Sequence, residues 1–362
     1  MCRPPPSAGR VCEAADLLLV SKAKRAAEVV LGGILRLPVA KVTDLSTPAG
    51  FDQAVAVLAA KLRRAASGAE AAAVREAIRA LDVDWRRTSA SDRSRLVAAA
   101  LAAARRATAA VPPRIEVPLS AAANSIVAAT RDHARRAERL SIRAEFNALD
   151  RRITAHIVSS QGNFVRDEYG RRVDAFGASA RQIVASGVDQ GLGRADIGQA
   201  LQAAARAELI ERAPFYWEVV AAAFTGQGRS FAQLSAYAEA GIKRYQIEAV
   251  LDEATTPICR YLHGKSFAVA EAVSRFERVE HLSSPEDIKR ELPWVRQARH
   301  EPTGRTRLYV DGRAGRVDLA EMKGEGASAF RALVSDQALS DLGVGFPPYH
   351  GLCRTVVVST SR

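Results

Sequence analysis

Two pairs of cysteine and histidine stand out in a chain of 362 residues that has only four cysteines and six histidines. Cys259 and His263 lie in "DEATTPICRYLHGKSF" (252–267), and His350 and Cys353 lie in "FPPYHGLCR" (346–354). Structural zinc is commonly bound by two close thiolate or imidazole ligands from each of two separate segments, which together complete a tetrahedron. The spacing therefore predicts a candidate structural zinc site at all four residues, which would tie the C-terminal segment to residues 252–267.

Two other interpretations of these residues remain open. Cys259 and Cys353 can be buried core cysteines, with both histidines making ordinary hydrogen bonds. A thiol and an imidazole can also form a nucleophilic pair, with Asp252 or Glu253 orienting the histidine. The chain contains no nucleophile-elbow, HExxH, zinc-deaminase or kinase motif. This favours a structural role, and we expect that the protein is not an enzyme.

The elements that must position these residues change in character along the chain. After a short leader, the sequence is rich in alanine and its apolar residues recur at helical spacing. This pattern predicts several helices, over 13–36, 51–66, 69–81 and the stretch that follows Ser89 or Ser91 as N-cap. Pro112, Pro113 and Pro118 predict a boundary, because proline disrupts the interior of a helix.

The next region is predicted to consist of long helices. The longest stretch covers about 120–160, and a turn is expected over 159–172. Gly191 and Gly193 then separate two helices, because glycine readily adopts the left-handed conformation in which many helices end. A further break is expected at "TGQGRS" (225–230).

The last part of the chain contains strand signals. "YQIEAVLD" (245–252) has an alternating pattern, "RTRLYVDGRAGRVDL" (305–319) carries an Asp-Gly turn between two strand-like runs, and "TVVVST" (355–360) is short and apolar. We therefore predict an α+β fold, with a mainly helical N-terminal region followed by a mixed module that has a small sheet. The predicted organisation is a mobile leader (1–12), an Ala-rich helical region (13–118), long helices with the helix–Gly–helix segment (119–241) and a C-terminal module (242–362).

The chain is strongly basic, with 52 Lys and Arg against 40 Asp and Glu and a formal net charge of +12. Such a charge favours polyanionic partners such as nucleic acid. Basic clusters would contact phosphates without reading base sequence, although each can equally be a solvated helix face; they lie at 61–64, 105–106, 135–136, 151–152 and 171–172. No apolar run is long enough to span a membrane and no signal-peptide pattern is evident. With few cysteines, two of them (Cys2 and Cys12) in the leader, the chain is no disulfide scaffold. We expect synthesis in the cytoplasm and no membrane partner.

The two Cys/His segments resemble one known family, the phage Mu F-like minor head proteins of phage head morphogenesis. The similar stretches are "AGIKRYQIEAVLDEATTPICRYLHGKSF" (240–267) and "FPPYHGLCRTVVV" (346–358). Residues that match the family pattern are Asp252, Thr256, Cys259, Leu262, Gly264 and Phe267 in the first stretch and Pro347, Pro348, His350, Cys353 and Arg354 in the second. The resemblance covers about 180–358, with an insertion at about 268–345.

The chain departs from the family pattern at two positions of the second stretch. Gly351 stands where the family has proline, and Thr355 stands where it has a last cysteine. If Thr355 replaces a ligand, any metal must be held by Cys259, His263, His350 and Cys353, or the metal has been lost.

The resemblance implies a low-copy structural protein inside a phage head or a particle derived from one. Its partners would be portal, capsid or scaffold proteins, with non-specific contact to packaged DNA as a further implication. The alternative is a particle-borne effector enzyme, such as a nuclease or an ADP-ribosyltransferase-like toxin. The structural hypothesis requires that 252–267 and 346–354 touch, with Asp252 and Thr256 capping local turns and Arg354 pairing with Asp252 or Glu253.

Overall fold

The computed structural model describes residues 44–211, 213–312, 315–323 and 329–360. The predicted leader, the helix predicted over 13–36, Cys2 and Cys12 lie outside the described residues. Within them the predicted α+β class is confirmed, because a helical N-terminal region precedes a module with two small antiparallel sheets. The helices of the described residues include none long and apolar enough to cross a membrane.

Six α-helices build the described part of the N-terminal region. They are α1 (Pro48–Leu81), α2 (Ala90–Thr108), α3 (Val111–Arg136), α4 (Ala148–Asp189), α5 (Arg194–Arg206) and α6 (Ala213–Glu239). Side-chain caps begin several of them, as where the Thr47 hydroxyl accepts from Gly50 N at the start of α1. The two helices predicted over 51–66 and 69–81 are one continuous helix, α1, which runs through Gly68. Ala66 and Ala73 are fully buried on either side of Gly68, and their small side chains let neighbouring helices pack closely against α1.

The predicted boundary is confirmed at Pro112 and Pro113, because α2 ends at Thr108 and α3 begins at Val111, but the prediction is wrong at Pro118. Pro112 and Pro113 begin α3, in the first turn, where the missing N–H groups have no helical acceptor in any case. Pro118 lies inside α3, and residue 118 therefore ends no helix. Ile115 and Leu119 are fully buried on either side of it, and this packing compensates for the lost backbone hydrogen bond.

Two predicted breaks are also wrong. The turn expected over 159–172 lies inside the 42-residue helix α4, where Val165 and Tyr169 are buried one turn apart. "TGQGRS" continues α6, since Gly226 and Gly228 are points of close packing rather than breaks: a Cβ on Gly228 would lie 3.1 Å from Ile157 Cδ1. The helix–Gly–helix prediction is confirmed, because Gly191 has φ +69° between α4 and α5.

The C-terminal module contains the expected strands. A three-stranded sheet has the order β2-β1-β7, formed by β1 (Arg244–Glu248), β2 (Ser266–Ala268) and β7 (Val356–Ser359). A second sheet has the order β3-β4-β5-β6, formed by β3 (Arg296–His300), β4 (Arg305–Gly312), β5 (Gly315–Met322) and β6 (Phe330–Ala332). Short helices connect these strands: α7 (Pro257–Leu262), α8 (Val269–Val279), α9 (Pro285–Glu291) and α10 (Asp336–Asp341).

One continuous hydrophobic core connects the helices to both sheets. The segment predicted to be an insertion (268–345) contributes to it through Leu308 and Leu319, which are fully buried. Tyr261 of α7 also reaches this segment, since its hydroxyl lies 3.3 Å from Leu319 O. A second cluster joins the C-terminal part of α1 to α2, α5 and the end of α4. The second sheet is therefore packed into the body of the module.

Candidate metal centre

The first Cys/His segment is shaped by local capping. The Thr256 hydroxyl accepts a hydrogen bond from Cys259 N at 3.4 Å, and Pro257 occupies the first turn, so α7 begins at the position that the side chains favour. Asp252 closes the preceding turn, with its N–H donating to Thr255 Oγ1 at 2.8 Å. The expected cap at Thr256 is observed, whereas in the preceding turn the Thr255 hydroxyl caps the Asp252 N–H and lies 2.9 Å from the Asp252 carboxylate. Cys259 consequently lies in the first turn of α7, with its thiol directed into the core.

Beyond α7 the chain turns into the sheet. Gly264 has φ +81°, a conformation that side-chain-bearing residues rarely adopt, and its N–H donates to Ile247 O at 2.9 Å. Phe267 is buried in β2 opposite Tyr245 of β1. The first segment is thus held on both sides of Cys259, by the Thr256 cap and by the β1–β2 pairing.

The second segment is held against α6 and β1. The Pro347–Pro348 peptide bond is cis, and Pro348 packs beside Gly226 of α6. Gly351 fits against α6 only without a side chain, because a Cβ there would lie 2.7 Å from Val219 Cγ1. β7 follows and pairs with β1, with Ile247 opposite Val357.

Three of the four predicted ligands converge. Cys259 Sγ lies 3.8 Å from Cys353 Sγ and 3.2 Å from His350 Nε2, and all three donor atoms lie within 4.8 Å of one another. The side chains of Cys259 and Cys353 are buried, at 4% and 1% exposure, while His350 is half-buried. The two Cys/His segments therefore touch, as the structural hypothesis requires.

The donor set fits a zinc ion. Two thiolates about 2.3 Å from a tetrahedral zinc ion lie about 3.8 Å apart, which is the separation of the two sulfurs here. Soft sulfur and imidazole donors are also the ligands that zinc prefers. Cys259, His350 and Cys353 are accordingly a candidate metal-binding triad.

His263 does not join the triad, and its inclusion among the predicted ligands was wrong. The residue is the C-cap of α7, with φ −56° and ψ 133°, so the backbone leaves the helix at this point. Its ring turns towards β1 instead, where Nδ1 accepts from Ala249 N at 3.1 Å. A C-x3-H spacing would place both side chains on one face only if the helix continued through the histidine.

Two threonines surround the triad with hydroxyl groups. Thr256 Oγ1 lies 3.2 Å from His350 Nε2. Thr355 is 2% exposed, and its nearby hydroxyl partly offsets the rise in the pKa of the Cys259 thiol. The residue that departs from the family pattern therefore lies beside a candidate ligand.

The pKa values of the two thiols are shifted in opposite directions. A hydrogen bond to Cys353, followed by burial, raises the pKa of Cys259 far above its usual value. Burial also opposes ionisation of Cys353, but hydrogen bonds from Cys259 and His350 outweigh it and hold the pKa of Cys353 well below the usual range. The pair thus favours one thiolate, which is the form that binds metals.

A buried arginine of α6 fixes the backbone next to the triad. Arg229 donates to Leu45 O at 2.7 Å, to Arg354 O at 3.1 Å and to Thr355 O at 2.8 Å. Its guanidinium carbon lies 4.5 Å from the centroid of the Phe51 ring. Burial lowers the pKa of Arg229 to about 10, and Cys353 partly offsets this effect. Sequence reasoning missed Arg229, because it lies in the expected break at 225–230 and belongs to no motif.

Arg354 links the two segments at the surface. It lies 2.5 Å from Asp252 Oδ2, which is one of the two pairings expected from the sequence, and 3.9 Å from Asp52 of α1. Hydrogen bonds from Thr255 and then from Arg354 lower the pKa of the Asp252 carboxyl. Asp52 was not anticipated, since it is remote in sequence from both segments.

Most of the basic clusters are paired with carboxylates of the same chain. Arg105 pairs with Asp174, and Arg135 and Arg136 pair with Asp132. The clusters at 151–152 and 171–172 also contain ion pairs, to Glu280 and to Asp167 and Glu168. Such pairing is typical of solvated helix faces rather than of a phosphate-binding surface.

Comparisons of the chain with protein-family models, with curated proteins and with solved structures found no match in any of the three.

Proposed function

We propose that the protein is a structural, non-enzymatic component of a phage head or phage-derived particle, and that a zinc ion ties its C-terminal strand to the module. The observation that carries the proposal is the contact between the two segments that resemble the minor head family. They are remote in sequence and meet through buried Cys259, Cys353 and half-buried His350. Cys259, His350 and Cys353 would hold the zinc ion, whose chemistry here is to cross-link.

The burial of the sulfurs supports a structural role for this site. Substrates reach catalytic groups through a cleft, whereas Cys259 and Cys353 are at most 4% exposed. Cavities of about 660 and 450 Å³ lie elsewhere among the described residues, and neither of these is lined by a residue of the triad.

A tied C-terminal strand suits a protein that must keep its shape during assembly. β7 is only four residues long and pairs with β1 alone among the described strands. So short a strand needs additional anchoring to remain in place. Cys353 of the triad lies three residues before β7, and a metal held there would supply that anchor. The portal, capsid or scaffold partners belong to the proposal and rest on the resemblance.

Particle fractionation tests this function. Cells that carry the gene within its native prophage or particle cluster would be induced, and nuclease-resistant particles would be separated on a density gradient. Quantitative mass spectrometry of the gradient should find the chain at a few copies per particle in the particle fraction. A Cys259→Ser, Cys353→Ser double variant should be depleted from particles. A wild-type chain found only among free soluble proteins would overturn the proposed function.

A further inference from the structure

The sulfur atoms of Cys259 and Cys353 are 3.8 Å apart, a separation that suits a shared zinc ion and also brings the two thiols close enough to react with each other. We propose that Cys259 and Cys353 are a redox pair, which forms a disulfide on exposure to peroxide when metal is absent, so that the same two segments stay tied by a covalent bond. The proposal concerns the regulation of the candidate metal site and rests on the proposed function for its biological setting.

Proximity of the sulfurs is the first support. The two Sγ atoms are 3.8 Å apart, and a disulfide needs about 2.05 Å. Both residues are free cysteines. Closing the remaining gap of under 2 Å requires side-chain rotation and a small movement of the second segment, which is a turn rather than a helix or strand.

Independent anchors keep the sulfurs near each other without a metal. Cys259 is fixed by the Thr256 cap, and the Cys353 segment is fixed by the Arg229 contacts and by the β1–β7 pairing. These contacts hold the thiols at a high effective concentration, as a short tether would. The bond would span 94 positions of the sequence, and a cross-link that closes so long a loop restricts the unfolded chain strongly.

The chemistry balances with a peroxide as oxidant. One thiol attacks a peroxide oxygen, the O–O bond breaks, and a sulfenic acid and one water form. The second thiol then attacks the sulfenic sulfur, the S–S bond forms and a second water leaves with the thiol proton. The two sulfurs together lose two electrons, which reduce the two peroxide oxygens. Metal and disulfide exclude each other, because both use the same sulfur electron pairs.

Release from the cell would expose Cys259 and Cys353 to a more oxidising environment. Inside the cell, thiols are kept reduced and can hold zinc. A particle released by lysis enters an oxidising medium, where the disulfide becomes the stable form. The tie between 252–267 and 346–354 would then persist on both sides of the cell envelope.

The test is peroxide oxidation of the purified full chain in a Cys2→Ser, Cys12→Ser background, which leaves only the two cysteines in question. The protein is treated with hydrogen peroxide with and without a chelator, alkylated and digested with trypsin without reduction. We expect a cross-linked peptide pair, 245–260 with 332–354, that appears fastest in the chelated sample and disappears on reduction. Intact mass should fall by two hydrogens, and any zinc present initially should be released in step with cross-linking.

Two results would overturn the redox pair. Either both thiols remain alkylatable in the chelated sample, or they are oxidised to sulfinic acids without cross-linking. A Cys353→Ser control should accumulate oxidised Cys259 but no cross-link. Zinc is measured before oxidation, so a zinc-loaded protein that never cross-links contradicts only the redox pair. A protein that cross-links but never held zinc contradicts only the metal.

Discussion

Replacement of Arg229 by methionine tests how the ligand segment is held in place. The wild-type guanidinium donates to three carbonyl groups that belong to two remote parts of the chain, Leu45 and the Arg354–Thr355 segment. Methionine keeps most of the apolar stem but none of the donors. The carbonyls of Leu45 and Thr355 would be left without these partners next to the triad.

The expected loss follows from two opposing contributions. Hydrogen bonds from a charged donor contribute about 1.5–3 kcal/mol each, so three contribute about 4.5–9 kcal/mol. Burial lowers the pKa of Arg229 to about 10, so keeping the side chain charged in the interior costs about 3–4 kcal/mol. The difference predicts that Arg229→Met lowers the free energy of unfolding by about 3 kcal/mol, with a range of about 0.5–6 kcal/mol.

Urea unfolding followed by tryptophan fluorescence measures this loss. Arg229→Lys is the graded comparison, since an ammonium group keeps the charge but cannot reach all three carbonyls, and its loss should be intermediate. Arg181→Met is the matched control, because Arg181 is exposed on α4 and its replacement should change stability by no more than about 0.5 kcal/mol. A loss below about 0.5 kcal/mol for Arg229→Met, or equal losses for methionine at both positions, would refute the reasoning.

Three further predictions concern pH, the metal and packing. Burial lowers the pKa of His156 to about 4. Below about pH 6.5 the imidazole is protonated in the unfolded chain but stays neutral in the folded chain. The free energy of unfolding should therefore fall by about 2 kcal/mol between about pH 7.5 and pH 5. His156→Leu should flatten that slope in urea titrations, whereas His281→Gln, at an exposed position, should leave it unchanged. Thr355→Cys should raise zinc affinity at least tenfold in competition with a chromogenic chelator, because it places a fourth soft ligand beside Cys259; an unchanged affinity would show that residue 355 does not face the metal. Gly351→Ala should destabilise by about 1–3 kcal/mol through the clash with α6, while Gly162→Ala, where a Cβ meets nothing within 4 Å, should stabilise α4 by about 1 kcal/mol; thermal melts that show the same sign for both would contradict this packing.

Local chemistry in the sequence was sufficient to place several parts of the site. Thr256 acts within a few residues of itself as the cap of α7, so its role can be predicted from its type and its position before the helix. The alternating pattern likewise predicted β1, and the two strand-like runs predicted β4 and β5. These features depend on short-range backbone preferences, which a single sequence records directly. The Asp-Gly turn itself was placed wrongly, because Asp311 and Gly312 belong to β4 and pair with Arg316 and Gly315.

The predictions that were wrong concern residues whose structure is decided by tertiary packing. His263 was predicted to be a metal ligand because it lies four residues after Cys259. The two side chains would share a helix face only if α7 continued through residue 263, and α7 ends at Leu262. Pro118 and the glycines of α6 lie in helices that packing maintains despite unfavourable propensities. Arg229 meets the ligand segment about 125 positions away, and no local pattern signals such a contact.

The zinc content of four purified proteins tests the central claim most directly. Elemental analysis should find about one zinc ion per chain in the wild type and in His263→Ala, because His263 faces Ala249 rather than the triad. Cys353→Ser and His350→Ala should each lose the metal, since each removes one of three convergent ligands. Zinc absent from the wild type, or lost equally on replacement of His263, would contradict the account.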